Sequence, residues 1–185
     1  MLKGKRLVLR PFRVTDAPHF VEWFNDQEVV RNLYSYLPIN EVAEEKWINH
    51  IMEERLPVFT IEAIMPCDER KVIGNCGLID MHQKDRNAEF GIMIGAKSFW
   101  GQGYGTEAAN LIINYGFKTL NLHKIKSVAY EFNARSIKIH EKLGFSKEGY
   151  LKDHVYIDGN YHGVIVFGLL KKDWEKTEKI ERSIK

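Results

Sequence analysis

The sequence predicts a single α/β domain built on a mixed, mostly antiparallel sheet. Three observations lead there. The chain has 185 residues, 44% of them hydrophobic, which fits one domain with a sizeable core. Strand-like and helix-like segments follow in the order β-α-α-β-β-β-α-β-α-β-β, and this does not alternate from the start as a doubly wound sheet would. No repeat, low-complexity tract or linker divides the chain, so residues 1–185 form one domain, with a core over about 5–170 and a charged tail over 171–185.

The elements justify themselves in chain order. RLVLRPF (6–12) alternates apolar and polar residues as a strand does. Thr15 and Asp16 are placed to cap a helix through PHFVEWFND, whose apolar residues recur at helical spacing. EVVRNLYSYLP reads as a helix end followed by a loop. NEVAEEKWINHIMEE (40–54) is an amphipathic helix with Asn40 as its cap. Three strands follow: VFTIEAIM (58–65), closed by a turn at PCDER; KVIGNCGLIDMH (71–82); and AEFGIMIG (88–95) after the polar break QKDRN. A glycine loop then opens a helix that runs to about Leu120. KIKSVAYE (124–131) is a strand, Asn133 opens a helix, and Gly144 closes it. Two strands over roughly 147–157 and 161–170 meet at the turn IDGNY. The tail KKDWEKTEKIERSIK reads as a short helix or a frayed end.

Composition excludes several classes. With 27 basic and 25 acidic residues the formal net charge is +2, which gives no global attraction to nucleic acid or an anionic membrane. Two cysteines, Cys67 and Cys76, make no disulfide framework and fit free thiols in a reducing compartment. His50, His82, His123 and His154 are scattered, so no metal site is expected. The N-terminus has no signal-peptide pattern, and the apolar run VIVFGLL (164–170) is far too short to span a bilayer. A soluble cytoplasmic protein is the expectation, with oligomeric state left open.

FWGQGYGT (99–106) carries the chemistry. Gly101, Gly103 and Gly105 fall within five residues, immediately before a helix. Glycines let the backbone turn and approach a ligand closely, and the free N–H groups of a first helical turn attract an anion. The dinucleotide fingerprint G-x-G-x-x-G is met only from Gly103, with Ala108 in last place. The loop also falls mid-chain, and no acidic residue stands about 20 positions on. The Walker pattern fails, because no Gly-Lys-Ser/Thr is present. With no lysine in the loop, a diphosphate suits it better than a triphosphate.

AEFGIMI, WGQGYGTEA and NARSIKIHEKLGF together resemble successive landmarks of the GNAT superfamily of N-acetyltransferases. RLVLRPF, AEFG and the W-G-x-G-Y-G loop most resemble the ribosomal-protein N-terminal (RimJ/RimL) branch. LNLHKI and the run through EKLGF also look like spermidine N-acetyltransferases. The resemblance spans roughly residues 5–170 and implies a GNAT-like sheet with helices on both faces and a splayed strand pair. Acetyl-CoA is the implied cosubstrate. Its diphosphate would rest on the amides of Gln102, Gly103, Tyr104, Gly105 and Thr106. Its pantetheine arm would pair with the backbone of Ile92, Met93 and Ile94, near Asn133 and Ser136. The helix-capping role of Asn133 is compatible with this. Two positions depart from the family pattern. Trp100 stands where the signature has Gln or Arg. His140 stands where many members carry a tyrosine that protonates the departing thiolate.

The implied reaction is direct attack of a primary amine on the thioester. The amine must first lose a proton. Glu89 is the candidate base, fourteen positions before Gly103, the spacing the resemblance implies for it. A glutamate in an apolar strand is costly unless paired or useful, so a salt bridge is the competing account. A backbone N–H of Met93 or Ile94 is the implied donor to the developing oxyanion. His140 is either a proton donor or an uninvolved residue on the helix surface. Tyr34, Tyr36, Tyr156 and Tyr161 could line the acceptor site, or simply pack. The acidic group Glu41, Glu44 and Glu45 could attract a polyamine, although a solvated helix face is the plainer account. The leading expectation is acetylation of a primary amine, most like a protein N-terminus; acetylation of a polyamine or amino sugar is the runner-up, and CoA binding for regulation without turnover is a third reading from another class.

Overall fold

A computed structural model describes residues 1–183. The strands are β1 (Leu2–Lys3), β2 (Leu7–Arg10), β3 (Val58–Ile64), β4 (Arg70–His82), β5 (Asn87–Ile94), β6 (Lys124–Tyr130), β7 (Ser146–Ile157) and β8 (Asn160–Leu170). The helices are α1 (Ala17–Phe24), α2 (Gln27–Val30), α3 (Glu41–Glu54), α4 (Tyr104–Lys118), α5 (Ala134–Lys142) and α6 (Lys171–Ser183). The sheet order is β1-β2-β3-β4-β5-β6-β8-β7. Five of its pairings are antiparallel, and β5 runs parallel to β6. The expected elements are all present. Strand β1 and the separate short helix α2, capped by Asp26, are additions, each too short to carry a periodic pattern.

The chain divides into two compact units, residues 1–79 with 91–112, and residues 80–90 with 113–185. In the first, Phe12, Phe20, Trp23, Ile48, Ile51, Val58 and Met93 form a buried cluster. Phe20 and Trp23 lie three apart on α1 and meet edge-on, and Phe20 packs against Phe12. Helix α3 starts as expected, with Asn40 Oδ1 accepting from the Ala43 N–H at 2.9 Å. It ends at Arg55, whose φ of 52° is left-handed.

Helix α3 carries Glu44, Ile48 and Ile51 on one buried stripe. Glu44 is therefore not on a solvated face, as expected of it, but 5% exposed. Its Oε1 has no hydrogen-bond partner among the described residues, and burial pushes its carboxyl up to about 7.

Asp16 also departs from expectation. Its backbone is already helical and its side chain does not cap α1. Instead Arg10 Nη1 and Nη2 donate to its two oxygens at 2.7 and 2.8 Å, and Arg10 Nε donates to Glu62 at 2.6 Å. The Arg13 N–H and the Thr60 hydroxyl complete its shell. A buried guanidinium wins the carboxylate because an unpaired charge there would cost several kcal/mol, more than the roughly 1 kcal/mol of a cap.

In the second unit β6 pairs with β8 over seven rungs, and β7 and β8 form a hairpin. Its turn residues Asp158 and Gly159 have φ of 51° and 82°, the signs a two-residue type I′ turn requires. Asn133 Oδ1 accepts from the Ser136 N–H at 3.1 Å, capping α5. Gly144, at φ 81°, closes that helix, and the Phe145 N–H reaches the His140 carbonyl.

Candidate active site

The glycine loop belongs to the first unit. After β5, the N–H groups of Gly95 and Ala96 both donate to the Ile73 carbonyl, at 2.9 and 3.1 Å. Two successive amides on one oxygen mark a bulge, which turns the chain out of the strand. The Trp100 indole N–H then donates to the Ile94 carbonyl at 2.6 Å, and Gln102 Nε2 donates to the Ser98 carbonyl at 2.6 Å. Trp100, which lacks the polar contact of the family signature, thus pins the loop to the end of β5.

Gly101 and Gly103 have φ of 74° and 85°, a region that strains any other residue. A Cβ at Gly101 would meet nothing within 4 Å, so the chain is open to solvent at that glycine. Helix α4 begins at Tyr104, and its first internal bond runs from the Glu107 N–H to the Gly103 carbonyl. The N–H groups of Gly103, Tyr104, Gly105 and Thr106 therefore have no acceptor within the helix. Four such amides at the start of a helix suit a diphosphate.

The backbone of β5 is not uniform. A Cβ at Gly74 would collide with the Met93 carbonyl, so that carbonyl is directed at β4. Peptide groups alternate along a strand, which places those of Ile92 and Ile94 on the opposite edge. Of the three residues expected to present backbone groups, Met93 is engaged on the β4 side.

The second unit holds Glu89, Ser127, Asn133, Ser136 and His140. The ladder of β5 with β6 has three rungs, Asn87 to Lys124, Ala88 to Ile125 and Glu89 to Lys126. Past it, the Ser127 hydroxyl donates to the Phe90 carbonyl at 2.8 Å. Glu89 is 29% exposed in its side chain, and Lys126 Nζ approaches it only to 3.9 Å. Burial pushes the Glu89 carboxyl above its ordinary range and Asp80 adds to this, while Lys126 opposes it.

His140 is 2% exposed, not a surface residue. Its ring stacks on Phe167 at 4.4 Å and meets the edges of Phe90 and Phe145. Nδ1 lies 2.8 Å from the Ser136 carbonyl and Nε2 lies 2.8 Å from Ser127 Oγ. Burial depresses its pKa, against the pull of the Ser136 carbonyl, so the ring is neutral near pH 7. Asn133 spends its side-chain oxygen on the cap of α5.

The tyrosines divide between the units. Tyr34 and Tyr36, in the loop after α2, are 55% and 85% exposed. Tyr156 and Tyr161 are paired across the β7–β8 hairpin with rings 5.1 Å apart. Sequence reasoning missed Ser127, whose role depends on a partner thirteen residues along the chain, and Arg6, which reaches the glycine loop from the N-terminal segment. No local pattern announced either.

Residues 6–146 match the acetyltransferase (GNAT) domain family, and the chain belongs to that family. The chain is 33% identical to the spermidine N(1)-acetyltransferase of Escherichia coli over 85% of its own length and 82% of the relative. It is 38% identical to the putative ribosomal N-acetyltransferase YdaF of Bacillus subtilis, over 54% of its length and 56% of that protein. The crystal structure of spermidine N-acetyltransferase from Vibrio cholerae in complex with CoA and spermine superposes with a TM-score of 0.83 at 25% identity, covering 93% of this chain and 99% of that one. The protein is thus an N-acetyltransferase with acetyl-CoA as donor. Among the described residues no group of His, Cys, Asp and Glu is arranged to hold a metal, and no helix is long and apolar enough to cross a membrane.

Proposed function

We propose that the chain acetylates a primary amine, with Glu89 as the base that receives the amine proton directly or through a water. The observation that carries this is the Glu89 carboxyl itself: half-buried, loosely paired and raised in pKa by its surroundings. A carboxylate so raised is a better proton acceptor near neutral pH than an ordinary one. Acetyl-CoA supplies an activated thioester. The amides of residues 102–106 hold its diphosphate, and the outward edge of Ile92 and Ile94 receives its pantetheine arm. The Ile94 N–H is preferred to that of Met93 as donor to the acetyl oxygen, because in a trans peptide it points away from the Met93 carbonyl, which faces β4. His140 acts by position and not as an acid, because its two ring nitrogens are engaged and its charged form is disfavoured. A thiolate of conjugate-acid pKa about 8.5 needs little help to depart.

For the acceptor, a polyamine is favoured over a protein N-terminus. The spermidine N(1)-acetyltransferase relative matches along most of both chains, whereas the putative ribosomal one matches over about half. Exposed Glu41 and Glu45 on α3 suit a polycation, and exposed Tyr34 and Tyr36 in the same unit suit the mouth of an acceptor site. A panel of spermidine, N-terminal peptides and amino sugars, read by thiol release from acetyl-CoA, tests this. Peptide turnover without spermidine turnover reverses the preference. CoA binding without thiol release for any amine replaces catalysis with a regulatory role.

A further inference from the structure

The glycine loop carries no charged side chain over residues 101–106, yet Glu107 follows it at once. A carboxylate there favours the start of a helix through the dipole. The same carboxylate repels a diphosphate seated on that helix's amides. Arg6 resolves the conflict. Its backbone N–H donates to Glu107 Oε1 at 2.8 Å and its Nε donates to Oε2 at 3.0 Å, so both oxygens are gripped. The approach is close: a Cβ at Gly4 would stand 2.6 Å from Glu107 Oε1.

The guanidinium continues onto the loop. Nη1 donates to the Gln102 carbonyl at 2.9 Å, and the group lies 4.5 Å from the centre of the Tyr104 ring. Nη2 stands 3.4 Å from the place a Gly103 Cβ would take. The peptide between Gln102 and Gly103 is planar and trans, so holding its carbonyl aims the Gly103 N–H the opposite way.

We infer that Arg6 is a positioning and charge-balancing residue for the CoA diphosphate, cancelling Glu107 and fixing the Gln102–Gly103 peptide. This rests on the proposed seat of CoA on the loop. It also accounts for Trp100: with the signature's polar side chain replaced, a cation from the N-terminal segment restores the charge balance.

The test is a titration of CoA, and separately of pantetheine, which lacks the diphosphate, into the full-length protein. The variants are Arg6→Gln, Arg6→Lys, Glu107→Gln and the double Arg6→Gln/Glu107→Gln, each checked for an unchanged unfolding midpoint. Arg6→Gln is expected to weaken CoA by about tenfold and pantetheine by less than about twofold. Arg6→Lys falls between. The double variant recovers a substantial part of the loss, because the unpaired carboxylate is gone. Equal weakening of CoA and pantetheine would show a merely structural role and overturn the inference, as would a double variant no better than Arg6→Gln. Glu107→Gln and Arg6→Lys keep the question decidable if Arg6→Gln does not fold: no gain in CoA affinity from the first, with no loss from the second, also overturns it. CoA binding that behaves as expected in a protein that acetylates no amine would leave this inference standing while the proposed base chemistry falls.

Discussion

His140 Nε2 stands 2.8 Å from Ser127 Oγ, and both residues are buried, at 2% and 3% exposure. The Ser136 carbonyl can only accept, so Nδ1 carries the ring proton and the neutral ring turns an acceptor to Ser127. The Phe90 carbonyl is a second acceptor on the same hydroxyl, at 2.8 Å. One hydroxyl proton thus serves two acceptors at the point where the β5–β6 ladder ends. His140→Ala removes a ring packed on three phenylalanines and is expected to cost about 3 kcal/mol of stability. Turnover of the folded variant should fall less than about tenfold, because no proton transfer is lost. Chemical denaturation and kcat measured together check this. A variant of unchanged stability that binds CoA but does not turn over would restore His140 as a catalytic acid.

Glu89→Gln should lower kcat by about a hundredfold or more while leaving CoA affinity within about twofold. In the wild type, kcat/KM should fall as pH drops through a carboxyl pKa above the ordinary range, since the base acts only when ionised. That acid limb should vanish in the variant. A limb that persists unchanged assigns the base elsewhere.

Gly103→Val forces a branched residue to a φ of 85°, and its methyls approach Arg6 Nη2. CoA affinity should drop by more than about tenfold, since such strain costs about 1–3 kcal/mol. Trp100→Phe removes one hydrogen bond, to the Ile94 carbonyl, and should cost less, about 1 kcal/mol. Calorimetric titration with CoA ranks the two, and the reverse order would place the cradle elsewhere.

Glu44 links stability to pH. Its folded pKa, about 7, is above the unfolded value because burial disfavours the charge. The folded state therefore holds its proton where the unfolded state has released it. Stability contributed by this group is full below about pH 4.5 and is lost as pH rises toward 7, by about 3 kcal/mol. Urea unfolding at pH 5 and pH 8 should show that loss in the wild type and not in Glu44→Gln. Equal slopes in both proteins would refute it.

Asp16→Ala leaves Arg10 buried beside Glu62 alone and should destabilise by about 3–5 kcal/mol. Asp16→Asn keeps the shape but not the charge and should lose nearly as much. Burial pushes the Asp16 carboxyl up, but the bonds from Arg10, Arg13 and Thr60 outweigh this and hold it below the ordinary carboxylate range. A thermal melt of each variant checks the ranking against a surface substitution.

Much of the architecture and part of the site were legible in the linear order. The strand and helix periods, the Asn40 and Asn133 caps, the Asp158–Gly159 turn and the Gly144 stop are all local matters, governed by a few neighbouring backbone dihedrals. The loop from Gly101 to Thr106 was readable for the same reason, because a left-handed glycine followed by a helix is a local event. Partnership and burial were another matter. Asp16 reads as a cap until Arg10 folds beside it, and Glu44 reads as solvated until its stripe is covered. His140 reads as a surface residue until β8 brings Phe167 under its ring. Arg6 has no visible connection to Glu107 until the chain places them side by side. Which charges are paired, which carboxyl keeps its proton and which imidazole stays neutral depend on desolvation and on neighbours distant in sequence, and these exist only once the chain has packed.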